Sequence, residues 1–169
     1  MLARVTSKAA VRDSVLARRQ GLSGPDRTAA GAAFARALAE AVASARRVAG
    51  YTAFATEPPT TWLAELRQDL LLPVLLGDGD LDWCVNGGSP LGPDAIATCD
   101  LVVVPALAVD RSGNRLGRGG GSYDRALARA TGRTIALLYD GELLDELPVE
   151  PHDRRVDAVV TPALGLVTL

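Results

Sequence analysis

The sequence predicts an α/β fold, a three-layer sandwich in which helices flank a mainly parallel central sheet. Short apolar runs typical of strands alternate along the chain with segments of helical periodicity. The run Leu101–Val104 is fully apolar, as expected of a parallel strand buried on both faces. A glycine-rich loop follows it, at the strand end where such folds bind ligands. The 169 residues fit one domain, and we expect a single domain over residues 1–169.

Two helices are predicted ahead of the first strand. Residues 3–20 have a weak apolar face of spaced aliphatic residues and alanines. Pro25, in the turn Ser23–Asp26, suits the first turn of a second helix that runs to about Arg46. A strand is predicted next, over Val48–Phe54. The apolar residues of the second helix recur at helical spacing, at Phe34, Leu38, Ala41 and Val42.

The middle of the chain is rich in loops. After two adjacent prolines, either Thr60 or Thr61 can cap a short helix that runs to Gln68. The apolar run Leu70–Leu76 indicates a buried strand that a proline interrupts. A short strand is predicted at Leu81–Val85, within a stretch dominated by glycine, aspartate and asparagine.

Beyond the central strand the chain alternates between helix and strand again. Asp110 begins a turn that ends at Gly113, and we expect its side chain to form that turn. The predicted elements that follow are a helix at Ser122–Ala130, a strand at Thr134–Tyr139, a short helix at Glu142–Leu147 and a strand at Val156–Thr161.

The composition limits the classes of function. Hydrophobic residues make up 48% and charged residues 22%, as in an ordinary globular protein. A net charge of −2 argues against nucleic acid as a partner. No apolar stretch suggests a secretory signal or a membrane span, so we expect a cytoplasmic protein without a membrane partner. Cys84 and Cys99 lack metal-site spacing and are expected to be small buried residues.

The glycine-rich loop is the strongest functional signal. Arg115 and Arg118 flank it, and an arginine fork suits phosphate oxygens. Asp124 follows it, where an oxygen ligand for Mg²⁺ is expected. The loop is neither a Walker A loop, which needs a lysine before Ser122, nor a dinucleotide fingerprint, so a flexible strand-to-helix connection is the plain alternative. Its glycines, which allow close backbone approach, are Gly117, Gly119, Gly120 and Gly121.

These residues resemble a known family. The run NRLGRGGGSYDR at 114–125, with PALAVD at 105–110 before it, resembles the 5-formyltetrahydrofolate cyclo-ligases, also called 5,10-methenyltetrahydrofolate synthetases. The glycine-rich run is specific, and the other matches support it. Those matches are Lys8-x-x-x-Arg12, Gly50-Tyr51 with Glu57, Leu147-Pro148, His152-Asp153 and Val156-Asp157.

The resemblance implies an ATP- and Mg²⁺-dependent enzyme that converts 5-formyltetrahydrofolate to 5,10-methenyltetrahydrofolate and releases ADP and phosphate. It implies Asp124 and Asp153 as Mg²⁺ ligands, and Thr52, Glu57 and Tyr123 as folate-binding residues. We expect a monomer whose partners are these two small-molecule substrates. The implied ATP-binding residues are Lys8, Arg12, Arg115, Leu116, Gly117, Arg118, Gly119, Gly120, Gly121, Ser122 and Tyr123, among which Lys8, Arg115 and Arg118 are catalytic.

The sequence also departs from the family pattern. Ser122 replaces a common tyrosine, and Gly120 stands where some members have a basic residue. Glu142 replaces a glutamine, and Gly92 replaces the glutamate of a Glu-Pro pair. Trp62 and Trp83 are more often core residues than ligand platforms, although Trp83 is also a candidate cover for the pterin. The sole histidine, His152, receives no role. Two alternative functions stay open: a non-catalytic nucleotide- or folate-binding regulatory protein, and an enzyme that handles phosphosugars.

Overall fold

The computed structural model describes residues 7–169. The predicted first helix therefore lies partly outside the described residues. The α-helices are α1 (Lys8–Gln20), α2 (Gly24–Ser44), α3 (Thr61–Leu66) and α4 (Ser122–Arg129), with a 3₁₀ helix at Pro93–Thr98. The strands are β1 (Val48–Ala49), β2 (Leu71–Leu75), β3 (Leu81–Val85), β4 (Leu101–Pro105), β5 (Ala108–Asp110), β6 (Arg115–Leu116), β7 (Arg133–Leu137), β8 (Leu143–Leu144), β9 (Ala158–Thr161) and β10 (Gly165–Thr168).

The central sheet has seven strands in the order β10-β9-β7-β4-β1-β2-β3. The five inner strands pair in parallel, and the two outer strands, β3 and β10, pair antiparallel to their neighbours. β4 is paired on both edges, with β1 and with β7, and Leu101 to Val104 are buried. The predicted mainly parallel sheet is confirmed, and its best sequence signal lies at its centre.

Helices cover both faces of the sheet. Successive side chains of a strand point to opposite faces, and β4 shows this alternation. Val103 packs in the cluster that contains Phe34 and Leu38 of α2. Val102 and Val104 pack in the opposite cluster, which contains residues of α4 and of the 3₁₀ helix. This arrangement confirms the predicted three-layer sandwich.

A small second sheet, in the order β6-β5-β8, was not predicted. Its strands have two or three residues, too few for a periodic pattern to appear. Asp110 organises the turn between β5 and β6 because its Oδ1 accepts the backbone N–H groups of Ser112 and Asn114. Its Oδ2 also accepts the N–H of Leu147, which holds the end of the β8 segment. The predicted turn role of Asp110 is confirmed.

Two predicted elements around the first strand are corrected. The strand expected over Val48–Phe54 ends at Ala49, although Gly50 N still donates to Leu71 O. The chain then leaves the sheet because the Thr60 hydroxyl bonds to its backbone. This hydroxyl donates to Tyr51 O and accepts from the N–H of Ala53. Thr60 is the N-cap residue of α3, but with its hydroxyl so engaged it makes no capping hydrogen bond.

Two further corrections concern β2 and the segment after β7. The apolar run Leu70–Leu76 is not buried throughout, because β2 pairs with β1 only at Leu71 while its outer half extends along β3. Leu75 is 68% exposed as a result. The short helix predicted at Glu142–Leu147 is wrong: the segment forms β8, and Glu142 is fully buried in an ion pair that fixes the chain in a non-helical path.

The end of α2 depends on Asp100, the residue before β4. Its carboxylate accepts the N–H groups of Arg46 and Arg47, 2.9 and 2.8 Å away. The helix ends at Ser44, earlier than predicted, because these two residues bond to Asp100 instead of continuing the helix. The same bonds lower the pKa of Asp100 to about 2. Among the described residues, no helix is both long and apolar enough to cross a membrane.

Candidate active site

A cavity of about 340 Å³ lies at the carboxyl end of β4 and collects almost all of the predicted site residues. Pro105, the last residue of β4, is part of its wall, together with α1, the glycine-rich loop and the segment 150–153. Thr52 is exposed and does not line the cavity. The predicted residues that do line it are Lys8, Arg12, Glu57, Arg115, Leu116, Gly117, Arg118, Gly119, Gly120, Gly121, Ser122, Tyr123, Asp124 and Asp153.

The glycine-rich loop needs its glycines at two positions. Gly119 has φ +109° and Gly121 has φ +72°, values that residues with a side chain rarely adopt. Gly121 is the N-cap residue of α4, so the first N–H groups of that helix begin at the loop. Arg12 on α1 donates from Nε to Gly117 O over 2.9 Å. The first helix therefore holds the loop in place.

Arg115 is buried beneath the glycine-rich loop and forms the floor of the cavity there. Its side chain is 4% exposed, and it donates to Pro105 O and, at 3.3 Å, to Asp124 Oδ1. The guanidinium carbon lies 5.7 Å from the ring centre of Tyr123. Burial lowers the pKa of Arg115, while the nearby carboxylate of Asp124 opposes that shift.

Two buried polar atoms in this part of the cavity wall have no hydrogen-bond partner among residues 7–169. They are Arg115 Nε and the hydroxyl of Tyr123. Burial raises the pKa of the Tyr123 hydroxyl, which therefore stays protonated and can donate. Buried polar groups are almost always satisfied. Unpartnered donors in a cavity wall are consistent with a ligand that supplies the acceptors.

Glu57 links the loop after β1 to the glycine-rich loop. Its Oε2 accepts the N–H of Phe54, and its Oε1 lies 3.2 Å from Arg118 Nε. The Arg118 guanidinium also lies 5.6 Å from the ring centre of Phe54, which is 69% exposed. A predicted folate-binding residue and a predicted phosphate-binding residue are thus in direct contact.

Lys8 closes another side of the cavity. Its Nζ donates to Glu150 Oε2 and Asp153 Oδ2, at 2.7 and 2.6 Å. Partial burial alone would lower the pKa of Lys8, but hydrogen bonds to Asp153 and Glu150 raise it overall. Burial alone would raise the pKa of Asp153, but the hydrogen bond from Lys8 and the one from the N–H of Glu150 lower it overall. Lys8 therefore stays charged and Asp153 stays ionised at neutral pH.

The carboxylates assigned to Mg²⁺ lie in connected segments. Asp124 Oδ1 accepts the N–H of Arg154, the residue after Asp153. Ligand atoms of Glu150, His152 and Asp153 lie within 4.8 Å of one another, and Asp124 is not part of that group. His152, which was assigned no role from the sequence, also lines the cavity. The carboxylate oxygens of Asp124 and Asp153 are the donor type that Mg²⁺ prefers.

One buried ion pair at the cavity was not predicted from the sequence. Arg19, on the last turn of α1, is 1% exposed and donates to both carboxylate oxygens of Glu142, which is fully buried. The replacement of a glutamine by Glu142 was the visible signal, since a buried carboxylate requires a cation. Trp83, on β3, is fully buried and packs with Ile96 of the 3₁₀ helix, which confirms the expected core role, and it does not line the cavity as a pterin cover would.

Comparison with known proteins identifies the family. The model of the 5-formyltetrahydrofolate cyclo-ligase family matches residues 4–162. The chain belongs to this family. A cyclo-ligase from Mycolicibacterium smegmatis is 38% identical, and the match covers 96% of this chain and 97% of that protein. A mitochondrial cyclo-ligase from Arabidopsis thaliana is 43% identical over 82 residues, 41% of this chain and 29% of that protein.

Solved structures agree with the cyclo-ligase assignment. The 5,10-methenyltetrahydrofolate synthetase of Aquifex aeolicus has a TM-score of 0.80 at 26% identity, covering 96% of this chain and 92% of that one. The synthetase of Mycoplasma pneumoniae has the same TM-score at 21% identity, covering 91% and 98%, and supports the fold alone. The resemblance found in the sequence and the prediction of an enzyme of the cyclo-ligase family are confirmed.

Proposed function

We propose that the protein converts 5-formyltetrahydrofolate to 5,10-methenyltetrahydrofolate at the expense of ATP. The N5-formyl oxygen takes the γ-phosphoryl group of ATP, which turns a poor leaving group into phosphate. N10 of the same folate then attacks the formyl carbon, and phosphate leaves. The products are 5,10-methenyltetrahydrofolate, ADP and phosphate. The observation that carries the proposal is one cavity that joins a glycine-rich phosphate loop to a carboxylate suited to a pterin.

The ATP phosphates would bind at the glycine-rich loop. The N–H groups at the start of α4, together with the guanidinium groups of Arg115 and Arg118, supply donors for phosphate oxygens. Lys8 adds a compact positive charge at the other side of the cavity, and Arg12 fixes the loop through Gly117 O. Phosphoryl transfer depends on positioning and on charge neutralisation, and it needs no protein nucleophile.

Asp124 and Asp153 are the proposed residues for Mg²⁺, with ATP as the co-substrate. Both line the cavity, and the bonds that Asp124 accepts all use its Oδ1. Two carboxylates beside a phosphate loop suit a cation that keeps most of its ligands as water and phosphate oxygens. Bound there, Mg²⁺ would supply additional neutralisation of phosphate charge.

The folate would bind through Glu57. A carboxylate accepts hydrogen bonds from the amino and ring N–H groups of a pterin. Glu57 stands at the cavity, its orientation set by the N–H of Phe54, and Tyr123 offers a free hydroxyl nearby. Thr52 lacks this position and is not retained as a folate contact. The monomeric state, the single domain and the cytoplasmic location stay predictions from the sequence.

Formation of the methenyl chromophore tests the proposal. Purified protein, Mg-ATP and 5-formyltetrahydrofolate should give the absorbance of 5,10-methenyltetrahydrofolate, and omission of ATP or Mg²⁺ should abolish it. Arg118→Ala should slow the reaction, whereas Arg111→Ala, at an exposed position outside the cavity, should not. A phosphosugar enzyme or a regulatory binding protein would give no chromophore, and that result would overturn the proposal.

A further inference from the structure

The buried ion pair between Arg19 and Glu142 leaves one guanidinium nitrogen without a partner. Arg19 Nε and Nη2 donate to Glu142 at 2.8 and 2.7 Å, and Nη2 also donates to Ala106 O at 2.7 Å. Nη1 is buried and has no hydrogen-bond partner within residues 7–169. A buried charged donor without an acceptor is costly. Arg19 also lines the proposed catalytic cavity, so a ligand there can supply the missing acceptor.

Arg19 is connected to the proposed pterin-binding residue through Tyr139. The Arg19 guanidinium carbon lies 5.4 Å from the ring centre of Tyr139, whose hydroxyl donates to Glu57 O at 3.4 Å. The 2-amino-4-oxo edge of a pterin presents N–H donors next to a carbonyl acceptor. A carboxylate matches the donors, and a free guanidinium N–H matches the carbonyl oxygen.

We propose that Arg19 is a further folate-binding residue, whose free Nη1 donates to the 4-oxo oxygen of the pterin, and that Glu142 positions it. The inference rests on the proposed function. Glu142 accepts both Arg19 bonds and the N–H of Tyr139, so it fixes the guanidinium with two parallel hydrogen bonds. It also offsets the charge of Arg19, which leaves the site suited to a neutral carbonyl.

Arg19 also borders a second cavity of about 440 Å³ between α1 and α2, in which Ala33 and Glu142 are lining residues. That cavity contains none of the glycine-rich loop and not Glu57. The catalytic cavity contains Glu57, the carboxylate proposed to accept the N–H groups of the pterin. It is therefore the site assigned to Nη1. A larger side chain in the lining of the second cavity separates the two sites experimentally.

Calorimetry with 5-formyltetrahydrofolate and, separately, with Mg-ATP tests the assignment. Arg19→Lys keeps a cation for Glu142 but removes Nη1, and it should weaken folate binding about tenfold or more without changing the ATP Kd. The double variant Arg19→Gln with Glu142→Gln replaces the ion pair by a neutral hydrogen-bonded pair and should show the same loss. Ala33→Leu, which places a larger side chain in the lining of the second cavity and narrows it, should bind folate as the wild type does. Thermal unfolding of each variant separates folding defects from binding defects.

The outcomes distinguish this inference from the proposed function. If the wild type binds folate and folded Arg19→Lys binds it equally well, the role of Arg19 is overturned while the proposed function stands. If Arg19→Lys does not fold, the folded double variant decides in the same way. Loss of folate affinity in Ala33→Leu with no loss in Arg19→Lys also overturns it, because the second cavity would then be responsible. A wild-type protein that binds ATP but not folate overturns the proposed function and this inference together.

Discussion

Arg118 Nε lies 3.2 Å from Glu57 Oε1, so the glycine-rich loop and the segment after β1 are joined by two side chains that we assign to different substrates. The Arg118 side chain is 46% exposed, whereas that of Glu57 is 12% exposed. The guanidinium is therefore the freer partner of the pair. We expect it to turn toward ATP phosphates when they bind, which would release Glu57 to accept hydrogen bonds from the pterin.

Glu57→Gln should impair use of folate more than use of ATP. The amide keeps the shape of the side chain but replaces one acceptor oxygen by a donor and removes the charge. Loss of a charge-assisted hydrogen bond costs ~1.5–3 kcal/mol, which corresponds to a rise of about 10- to 150-fold in the folate KM. Steady-state kinetics with each substrate varied would measure it, with exposed Glu65→Gln on α3 as the control. An unchanged folate KM would make Glu57 an ordinary loop residue.

Lys8→Arg should reduce activity although the charge is kept. Lys8 is the sole lysine among 18 basic residues, and its Nζ fits between Glu150 and Asp153 as a compact charge. A planar guanidinium is broader and cannot occupy the same position. We expect kcat/KM for ATP to fall about tenfold, equivalent to ~1.4 kcal/mol.

The control for Lys8 is Arg111→Lys, which exchanges the same two side chains at an exposed position. It should retain wild-type kinetics. Wild-type kcat and ATP KM in both Lys8→Arg and Lys8→Ala would show that α1 contributes no phosphate contact through Lys8.

Asp124→Asn should remove the Mg²⁺-dependent part of ATP binding. The asparagine retains an oxygen acceptor for Arg154 N, so the local backbone contact is preserved, but the carboxylate charge next to the phosphate loop is lost. Calorimetry with ATP in the presence and absence of Mg²⁺ would measure the difference, with Asp145→Asn at a 96% exposed side chain as the control. Equal ATP affinity of the wild type with and without Mg²⁺ would contradict the metal assignment.

Asp100→Asn should destabilise the protein near neutral pH but not in strong acid. The folded-state pKa of Asp100 lies at about 2, below its ordinary value of 3.8. A depressed pKa contributes stability above the ordinary value, and this contribution is lost as the pH falls through the folded-state pKa. The gap between wild type and variant in urea unfolding should therefore be full near pH 6 and shrink between pH 3.8 and about 2. A gap that is constant over that range would exclude the link through Arg46 and Arg47.

The sequence predicted the parts of the fold that have long or purely apolar patterns. α2 and the central strand β4 lie close to the predicted positions because burial dictates their composition along several residues. The second sheet was missed because two- and three-residue strands have no measurable period. The helix predicted at Glu142–Leu147 failed because a long-range ion pair with Arg19, 123 residues away, overrode the local preference.

The same distinction holds for the site. The glycine-rich loop is a local signal, and the structure places its residues at one cavity. The partners of Lys8 lie 142 and 145 residues away, and no local pattern reveals them. Thr52 was expected at the site because the first strand was predicted to run to Phe54, but β1 ends at Ala49 and Thr52 does not line the cavity.

The contact of α1 with Gly117, Glu150 and Asp153 has a consequence for dynamics. A ligand in the cavity would bridge the first helix and the C-terminal segment, which otherwise meet there through a few polar bonds. Binding to the native state alone stabilises it by mass action. Amide hydrogen exchange in α1 should therefore slow when ATP is added, and the slowing should exceed that in β10, which pairs at the far edge of the sheet. The N-terminal helix would then report occupancy of the cavity without any chemical label.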